Sequence, residues 1–279
     1  MTKERKQALW GLVLVTPSFL LLLVVVVIPI VQSFIESLRN EAGGYDLSRY
    51  EWLFTDKGMR NNIWFTLKIT VISCALVLLI GYALALYLRF SPGKLAGWIR
   101  RTYMIPMFIP GVIATYGLMN LLGNHGWLSR LLLPFGVTLP RIIFDEKGLI
   151  IANLWFNIPF TTMLLSSAIA GIPGSVIESA RDVGAGKLGI FFRIILPLSY
   201  KTFLVALTFV FMGVIGSFTA PFLIGQNSPQ MLGVAMEQVF GVFQEREQAA
   251  AIAVFTFLLC SVLGFFYIRS MAKEEAARM

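Results

Sequence analysis

Glu178-Ser-Ala-Arg-Asp-Val-Gly-Ala-Gly-Lys-Leu-Gly-Ile-Phe-Phe-Arg-Ile-Ile-Leu-Pro197 is a charged, glycine-broken island between two long apolar segments of this 279-residue chain. Acids come first, bases follow, and the run ends in Leu-Pro; lipid packing asks for none of these. The chemistry on offer is recognition, a shaped polar surface held out to a soluble partner. Catalysis finds little support elsewhere, and no catalytic residue is assigned. The chain has one His, His125, and shows neither paired carboxylates nor a nucleophile–base spacing. A lone His cannot make a metal site. Cys74 and Cys260 sit inside apolar runs and read as small buried hydrophobes, so no metal site is expected either. A phosphate loop needs G-x-x-x-x-G-K-[ST]. Gly93-Lys94 and Gly186-Lys187 are each followed by Leu, and neither has a Gly five residues before its own. No cofactor is expected on this chain, and any ATP must be hydrolysed on another.

The elements that must position this island are membrane helices. At 57% hydrophobic and 14% charged, with a mean hydropathy of +0.77, the chain is too apolar for a soluble globule. Six uncharged windows of twenty residues or more remain when it is cut at every Asp, Glu, Lys and Arg: 7–35, 69–88, 102–129, 148–177, 202–236 and 248–268. A helix needs roughly 20 apolar residues to cross the hydrocarbon core, and in lipid its backbone must be satisfied internally. The ten-residue alternation of a β-barrel is not visible. The fold class expected is therefore an all-α integral membrane protein with six transmembrane helices. The spans fall at about 10–32, 63–88, 102–122, 149–170, 202–224 and 248–268, within one domain over 1–279.

Orientation follows from the basic residues. With the N-terminus inside, segments 1–10, 89–101, 171–201 and 269–279 hold 14 Lys and Arg against five acids. Segments 32–62, 123–147 and 225–248 hold eight against ten. The positive-inside rule then places both termini and the 171–200 loop in the cytoplasm. The same asymmetry explains the +8 net charge without nucleic acid. The first window is far longer than the roughly 7–15-residue core of a secretory signal and has no small-x-small site, so a retained helix is expected.

Within the island, Ile172-Pro173-Gly174 stops the fourth span. Ser175 can cap a new helix with Glu178 three residues on. Val176, Ile177, Ala180 and Val183 offer one apolar face, Gly184 suits a left-handed helix end, and Lys187 to Ile195 can form a second short helix at an angle. Pro197 marks its passage into the fifth span. The plainer alternative is an amphipathic connector on lipid headgroups, which requires neither the capping pair nor the Ala180, Gly184, Ala185 and Gly186 knuckle. Outside the island, 36–62 reads as short interfacial helices with Tyr45, Tyr50, Trp52 and Phe54, and 126–135 as an outer interfacial segment too short to span.

Two polar stripes run along spans, Asn153, Asn157 and Thr161 on the fourth and Thr66, Thr70 and Ser73 on the second. Taken singly, such residues more often mediate helix packing than line a path. The fifth span is broken by Gly213, Gly216, Ser217, Thr219, Pro221 and Gly225, and non-helical backbone at membrane depth is tolerated only beside protein or water. Ser217, Phe218 and Pro221 are therefore the pathway candidates, with Asn153 and Asn157 beside them or at a subunit interface.

Glu178, Ala180, Gly184, Leu196 and Pro197 carry a resemblance to a known family. The stretch resembles the EAA loop of permease subunits of binding-protein-dependent ABC importers: Glu-Ala-Ala, a Gly four residues after the second Ala, and a later Leu-Pro. Ser179 replaces the middle Ala. Val183 stands where the sugar branch usually has Asp, which brings the loop closer to the polyamine, ferric-iron and opine branch. Leu47-Ser48-Arg49-Tyr50 and Gly216-Ser217-Phe218-Thr219-Ala220-Pro221 extend the resemblance over most of the chain. It implies a type I ABC importer permease-like bundle in a bacterial cytoplasmic (inner) membrane. It also implies that Glu178, Ser179, Ala180, Asp182, Gly184, Ala185 and Pro197 couple the chain to an ATPase. The implied partners are a second permease subunit, two copies of a cytoplasmic ATPase and an extracytoplasmic solute-binding protein. A polyamine or similar amino-bearing solute is favoured, with ferric iron, opines, phosphonates and sugars as alternatives. A secondary transporter is the main rival, but no Asp or Glu lies inside the spans to couple protons.

Overall fold

The computed structural model describes residues 3–278 apart from 41, 139, 141, 226 and 227, with side chains from 10 to 269. Among the described residues the chain is helical almost throughout, and its β pairing is an isolated bridge between Arg39 and Tyr45. In chain order the helices are α1 (Trp10–Ser37), α2 (Ser48–Thr55), α3 (Lys57–Phe90), α4 (Lys94–Thr102), α5 (Gly111–Leu122), α6 (Trp127–Leu132), α7 (Glu146–Ala170), α8 (Gly174–Asp182), α9 (Lys187–Ile215), α10 (Thr219–Ile224), α11 (Leu232–Glu237) and α12 (Arg246–Arg278). Five of these, α1, α3, α7, α9 and α12, are long and apolar enough to cross a bilayer. A sixth span exists if a bent pair is counted as one.

That bent pair is the third window. Instead of one helix over 102–122, Lys94–Phe108 and Gly111–Phe135 meet at 110°. Pro106 and Pro110 are the cause: neither has an N–H to give a helix, and Pro110 is held extended at ψ 138°. Beyond the bend α5 has 12 residues, a length of about 18 Å. The fifth window also differs. The helix begins at Lys187, so residues 187–195 are its first turns and not a separate short helix at an angle. A π-helical turn over Phe191–Ile195 precedes Pro197. The wider turn accommodates a residue with no N–H whose ring crowds the preceding carbonyls. At its far end α9 stops at Ile215, where the glycines suggested a break, and the chain resumes as α10 after Phe218.

The chain divides into two compact units, Met1–Met59 with Met236–Phe257, and Arg60–Ala235 with Leu258–Met279. In the first, Phe34 packs edge-on against Phe257 (5.9 Å) and Phe54 against Phe255 (5.6 Å). Ser37 and Tyr50 share a hydrogen bond of 2.6 Å, tying α2 to the end of α1. Between them Asp46 accepts from the Ser48 hydroxyl (2.5 Å), from Asn40 Nδ2 (2.8 Å) and from the Ser48 N–H (2.9 Å). Those donors, the Ser48 hydroxyl foremost, pull its carboxyl pKa down to about 2. Short of Phe34, the apolar side chains of α1 from Trp10 to Val31 are largely exposed, as expected of a surface meeting lipid or another chain.

The second unit holds the core. Near one end Phe65, Ile69, Leu118, Leu149, Ile224 and Met231 pack together, drawing α3, α5, α7 and α10 into one cluster. At the other end Tyr82, Leu165, Ile169, Ile172, Ile177, Ile190 and Ile195 join α3 and α7 to the loop. Between the two, Gly81 lets α3 and α7 approach closely. A Cβ there would sit 2.8 Å from Thr161 Cγ2, the close contact that small residues provide between membrane helices.

Candidate functional site

The loop helix α8 is built by its two ends. Pro173 occupies the N-cap position at φ −59°, ψ 135°, and no side chain caps the helix. The expected Ser175–Glu178 capping pair does not form. The helix starts at Gly174, so Ser175 is already inside the first turn and its hydroxyl is not where an N-cap oxygen must be. The C-terminal expectation fares better. Gly184 has φ +83°, its N–H donates to the Arg181 carbonyl (2.8 Å), and the Ala185 N–H donates to the Ala180 carbonyl (2.9 Å). These two bonds and a left-handed glycine make a Schellman end, which satisfies carbonyls the last turn would leave open.

The expected apolar face divides. Ile177, 4% exposed, is locked into the cluster with Ile172, Ile190 and Ile195, and Ala180 and Ala185 pack at its edge. Val176 and Val183 turn outward, Val183 with 85% of its surface exposed. On a helical projection Ile177 and Val183 lie about 120° apart, so one edge of the stripe seats the helix while the other faces away. The outward side also carries exposed Glu178, Ser179, Asp182 and Gly184, with Leu188 and Phe192 following on α9. Among the described residues no ion pair occupies Glu178, Arg181 or Asp182. A groove of about 730 Å³ runs beside this surface between α8 and α9, lined by Ile177, Arg181, Lys187, Leu188 and Phe191. Pro197 stands apart, about 15 Å along α9 from Lys187. The structure brings together the 178–185 residues and leaves Pro197 out. Leu188 and Phe192 escaped sequence reasoning because, within an expected second short helix, they carry neither the charge nor the small size that singled out their neighbours.

A second candidate place is the break after α9. Ser217 is half-buried, its hydroxyl donating to the Val214 carbonyl (2.7 Å) with Met231 Sδ at 3.8 Å. Pro221 is buried. Phe218 and Phe222 stack at 5.1 Å with 25° between their planes, 39% and 54% exposed, so a bare aromatic face marks the break. Gly233 packs onto it, since a Cβ there would lie 2.8 Å from the Ser217 carbonyl. Asn62 and Thr66 of α3 tie in the segment beyond: Asn62 Oδ1 accepts from the Gln230 N–H (2.7 Å) and Thr66 Oγ1 from the Leu232 N–H (2.9 Å). Of the α7 stripe, Asn153 is buried and its Nδ2 donates to Ser73 Oγ of α3 (3.2 Å), which is packing. Asn157 is half-buried, donates to the Asn153 carbonyl (2.8 Å), and presents Oδ1 toward Gly213. Among the described residues no three His, Cys, Asp or Glu side chains gather as a metal site would need.

A loop helix seated on the ends of membrane helices, then a bent and broken span, is matched by one family model. Residues 77–273 fit the binding-protein-dependent transport system inner membrane component. The chain belongs to that family. Both candidate places lie within the matched residues. The spermidine/putrescine transport system permease protein PotB of Haemophilus influenzae is 28% identical over 75% of this chain and 73% of its own. The molybdenum transport system permease protein ModB of Azotobacter vinelandii is 27% identical over 72% of this chain and 91% of its own. The fold matches a chain of a bacterial ABC transporter involved in import of the acidic polysaccharide alginate, with a TM-score of 0.82, 18% identity, and coverage of 97% of this chain and 96% of that one. This is an ABC importer permease, an all-α multi-pass membrane protein.

Proposed function

We propose that this permease forms, with a second permease subunit, the path for a small solute delivered by an extracytoplasmic binding protein. Two copies of a cytoplasmic ATPase drive it, docking at the outward side of α8. The observation that carries this is the two-sidedness of α8. One edge is locked by Ile177 to the ends of α3, α7 and α9, while the other holds Glu178, Asp182 and Val183 out with no side-chain partner among the described residues. A helix so held transmits a push on its outer side to three membrane helices at once, which rigid-body switching requires. Glu178→Lys is expected to leave insertion and ATPase levels unchanged and to abolish ATP-driven transport in proteoliposomes. Normal transport by that variant would remove the docking role from Glu178.

The topology that fits has both termini and 171–200 in the cytoplasm. In a background without Cys74 and Cys260, a Cys at position 50 should label from outside sealed cells and one at 187 should not. The path runs past the break at Ser217 and Phe218. Ser217→Cys should react with a water-soluble thiol reagent to an extent that changes when ATP is trapped, with Leu22→Cys as the unreactive lipid-facing control. Equal inertness of both in every nucleotide state would make the break mere packing.

For the solute, the loop variant and the PotB likeness support a polyamine or similar amine. The exposed Phe218–Phe222 face suits it, since an ammonium over an aromatic ring gains about 0.5–2 kcal/mol. The ModB likeness makes molybdate the competing outcome. Uptake of labelled putrescine, spermidine and molybdate by the assembled system decides between a cation and an oxyanion.

A further inference from the structure

At the end of the second unit that carries α8, a cleft of about 550 Å³ opens between the ends of α3 and α7 and the short helix α4. Arg89, Arg100, Tyr103, Ser166 and Ser167 supply its polar lining, and no carboxylate lines it. Arg100 Nη2 donates to the Leu88 carbonyl (2.6 Å) and Arg89 Nη2 to the Ile172 carbonyl (3.3 Å). Each guanidinium has five N–H donors in a planar fork, so each keeps donors beyond the one spent on a carbonyl. Three helix C-termini meet here, those of α3, α7 and α4, whose C-cap Tyr103 is in the lining, each equivalent to about half a negative charge. Two full positive charges against them leave a positive excess of about half a charge. Ser166 Oγ is buried in the wall without a hydrogen-bond partner.

We infer that this cleft is a binding site for a phosphate group, and that its occupant is the headgroup of an anionic phospholipid in the leaflet on that side. Arginine forks match phosphate oxygens in pairs, and the Ser166 hydroxyl has a donor to give. The lipid is favoured over a free anion by α4. Its Leu95 and Trp98 are exposed apolar side chains, Arg101 is charged, and Ala96 packs inward. A short helix with exposed Trp and Leu beside bases is the pattern of an element lying at headgroup level. A phosphodiester in the cleft would then have acyl chains running beside α4.

The test is native mass spectrometry of the full-length chain, purified with its accompanying subunits in mild detergent. The probes are dioleoylphosphatidylglycerol, dioleoylphosphatidylcholine and inorganic phosphate. The wild type is expected to retain phosphatidylglycerol over phosphatidylcholine. Arg100→Gln should weaken that retention about five-fold, with Arg100→Lys restoring part of it. Ser166→Ala, which breaks no hydrogen bond among the described residues, should weaken phosphatidylglycerol retention without changing phosphatidylcholine. Arg101→Gln makes the same charge change on the same helix outside the cleft lining and should have little effect. Equal loss in Arg101→Gln and Arg100→Gln would reduce the effect to diffuse charge and overturn the site. Equal retention of the two lipids would also overturn it. Displacement of phosphatidylglycerol by millimolar inorganic phosphate would overturn the lipid as occupant.

Discussion

Gly184 offers the sharpest single test of how the loop helix is made. Its φ is +83°, and a Cβ built there meets no atom within 4 Å, so the cost of a side chain is one of backbone conformation. The left-handed region costs an L-residue about 1–2 kcal/mol, and Asn tolerates it best. A β-branched residue pays more, because its side chain also loses rotamers. The expected damage therefore runs Asn, then Ala, then Val. At about 1 kcal/mol, Ala opens the helix end about five-fold more often. At about 2 kcal/mol, Val opens it about thirty-fold more often. The Ala185 N–H, bonded to the Ala180 carbonyl at 2.9 Å, is the reporter, since it exchanges only when the end opens. Hydrogen exchange at that amide should accelerate in the order given, and ATP-driven transport should fall in the same order. Side-chain volume ranks the variants differently, Ala below Asn below Val. If exchange and transport both follow volume, the left-handed end is not what Gly184 provides.

Further outcomes follow from the same packing. Ile177→Ala should cost about 2–5 kcal/mol as a core truncation and lower the unfolding temperature, whereas Val183→Ser should leave that temperature unchanged and impair transport. Tyr82 OH bonds to Ser199 Oγ, which itself donates to the Ile195 carbonyl (2.7 Å). Tyr82→Phe should therefore cost about 0.5–1.5 kcal/mol, and Ser199→Ala, which strands the buried phenol, about 1–3 kcal/mol, measured by denaturation in detergent. Asp46 has its carboxyl pKa lowered to about 2 in the folded turn. A depressed carboxylate contributes stability that is full above its ordinary range near 4 and is lost as pH falls toward 2. The Ser48 amide, which donates to Asp46 Oδ1, should keep its exchange protection down to about pH 4 and lose it below, and Asp46→Asn should flatten that profile.

Much of the architecture was legible because two signals are local. Charge-free length marks each span, and Gly184, four residues after Ala180, marks a helix end whatever surrounds it. Cutting at charges is blind to proline, so the bend at Pro106 and Pro110 was hidden inside a window that looked continuous, while the π turn before Pro197 fell in the charged stretch between two windows. The capping pair failed by two residues, because Pro173 and not Ser175 became the N-cap. The stripe of Asn153 and Asn157 was ambiguous for a deeper reason. A 3.6-residue period names a face and not what the face meets, and Ser73 of α3 meets Asn153. The broken backbone singled out Phe218, but its stacking partner Phe222 gave no signal among so many aromatics, since stacking four residues apart looks like any other helical spacing.

The division of α8 into a seated edge and an outward edge has a consequence for interchange. Ile177 is held by residues of its own chain, and Val183, Glu178 and Asp182 have no side-chain partner among the described residues. Change on one edge is therefore invisible to the other. Grafting the outward positions of another permease's loop onto this scaffold, with Ile172, Ile177, Ile190 and Ile195 untouched, should hand the channel to a foreign motor without refolding it. A transplant of the whole segment would carry a mismatched anchor with it. On the proposed docking role, the choice of motor would then rest on a handful of surface positions and leave the fold of the channel alone.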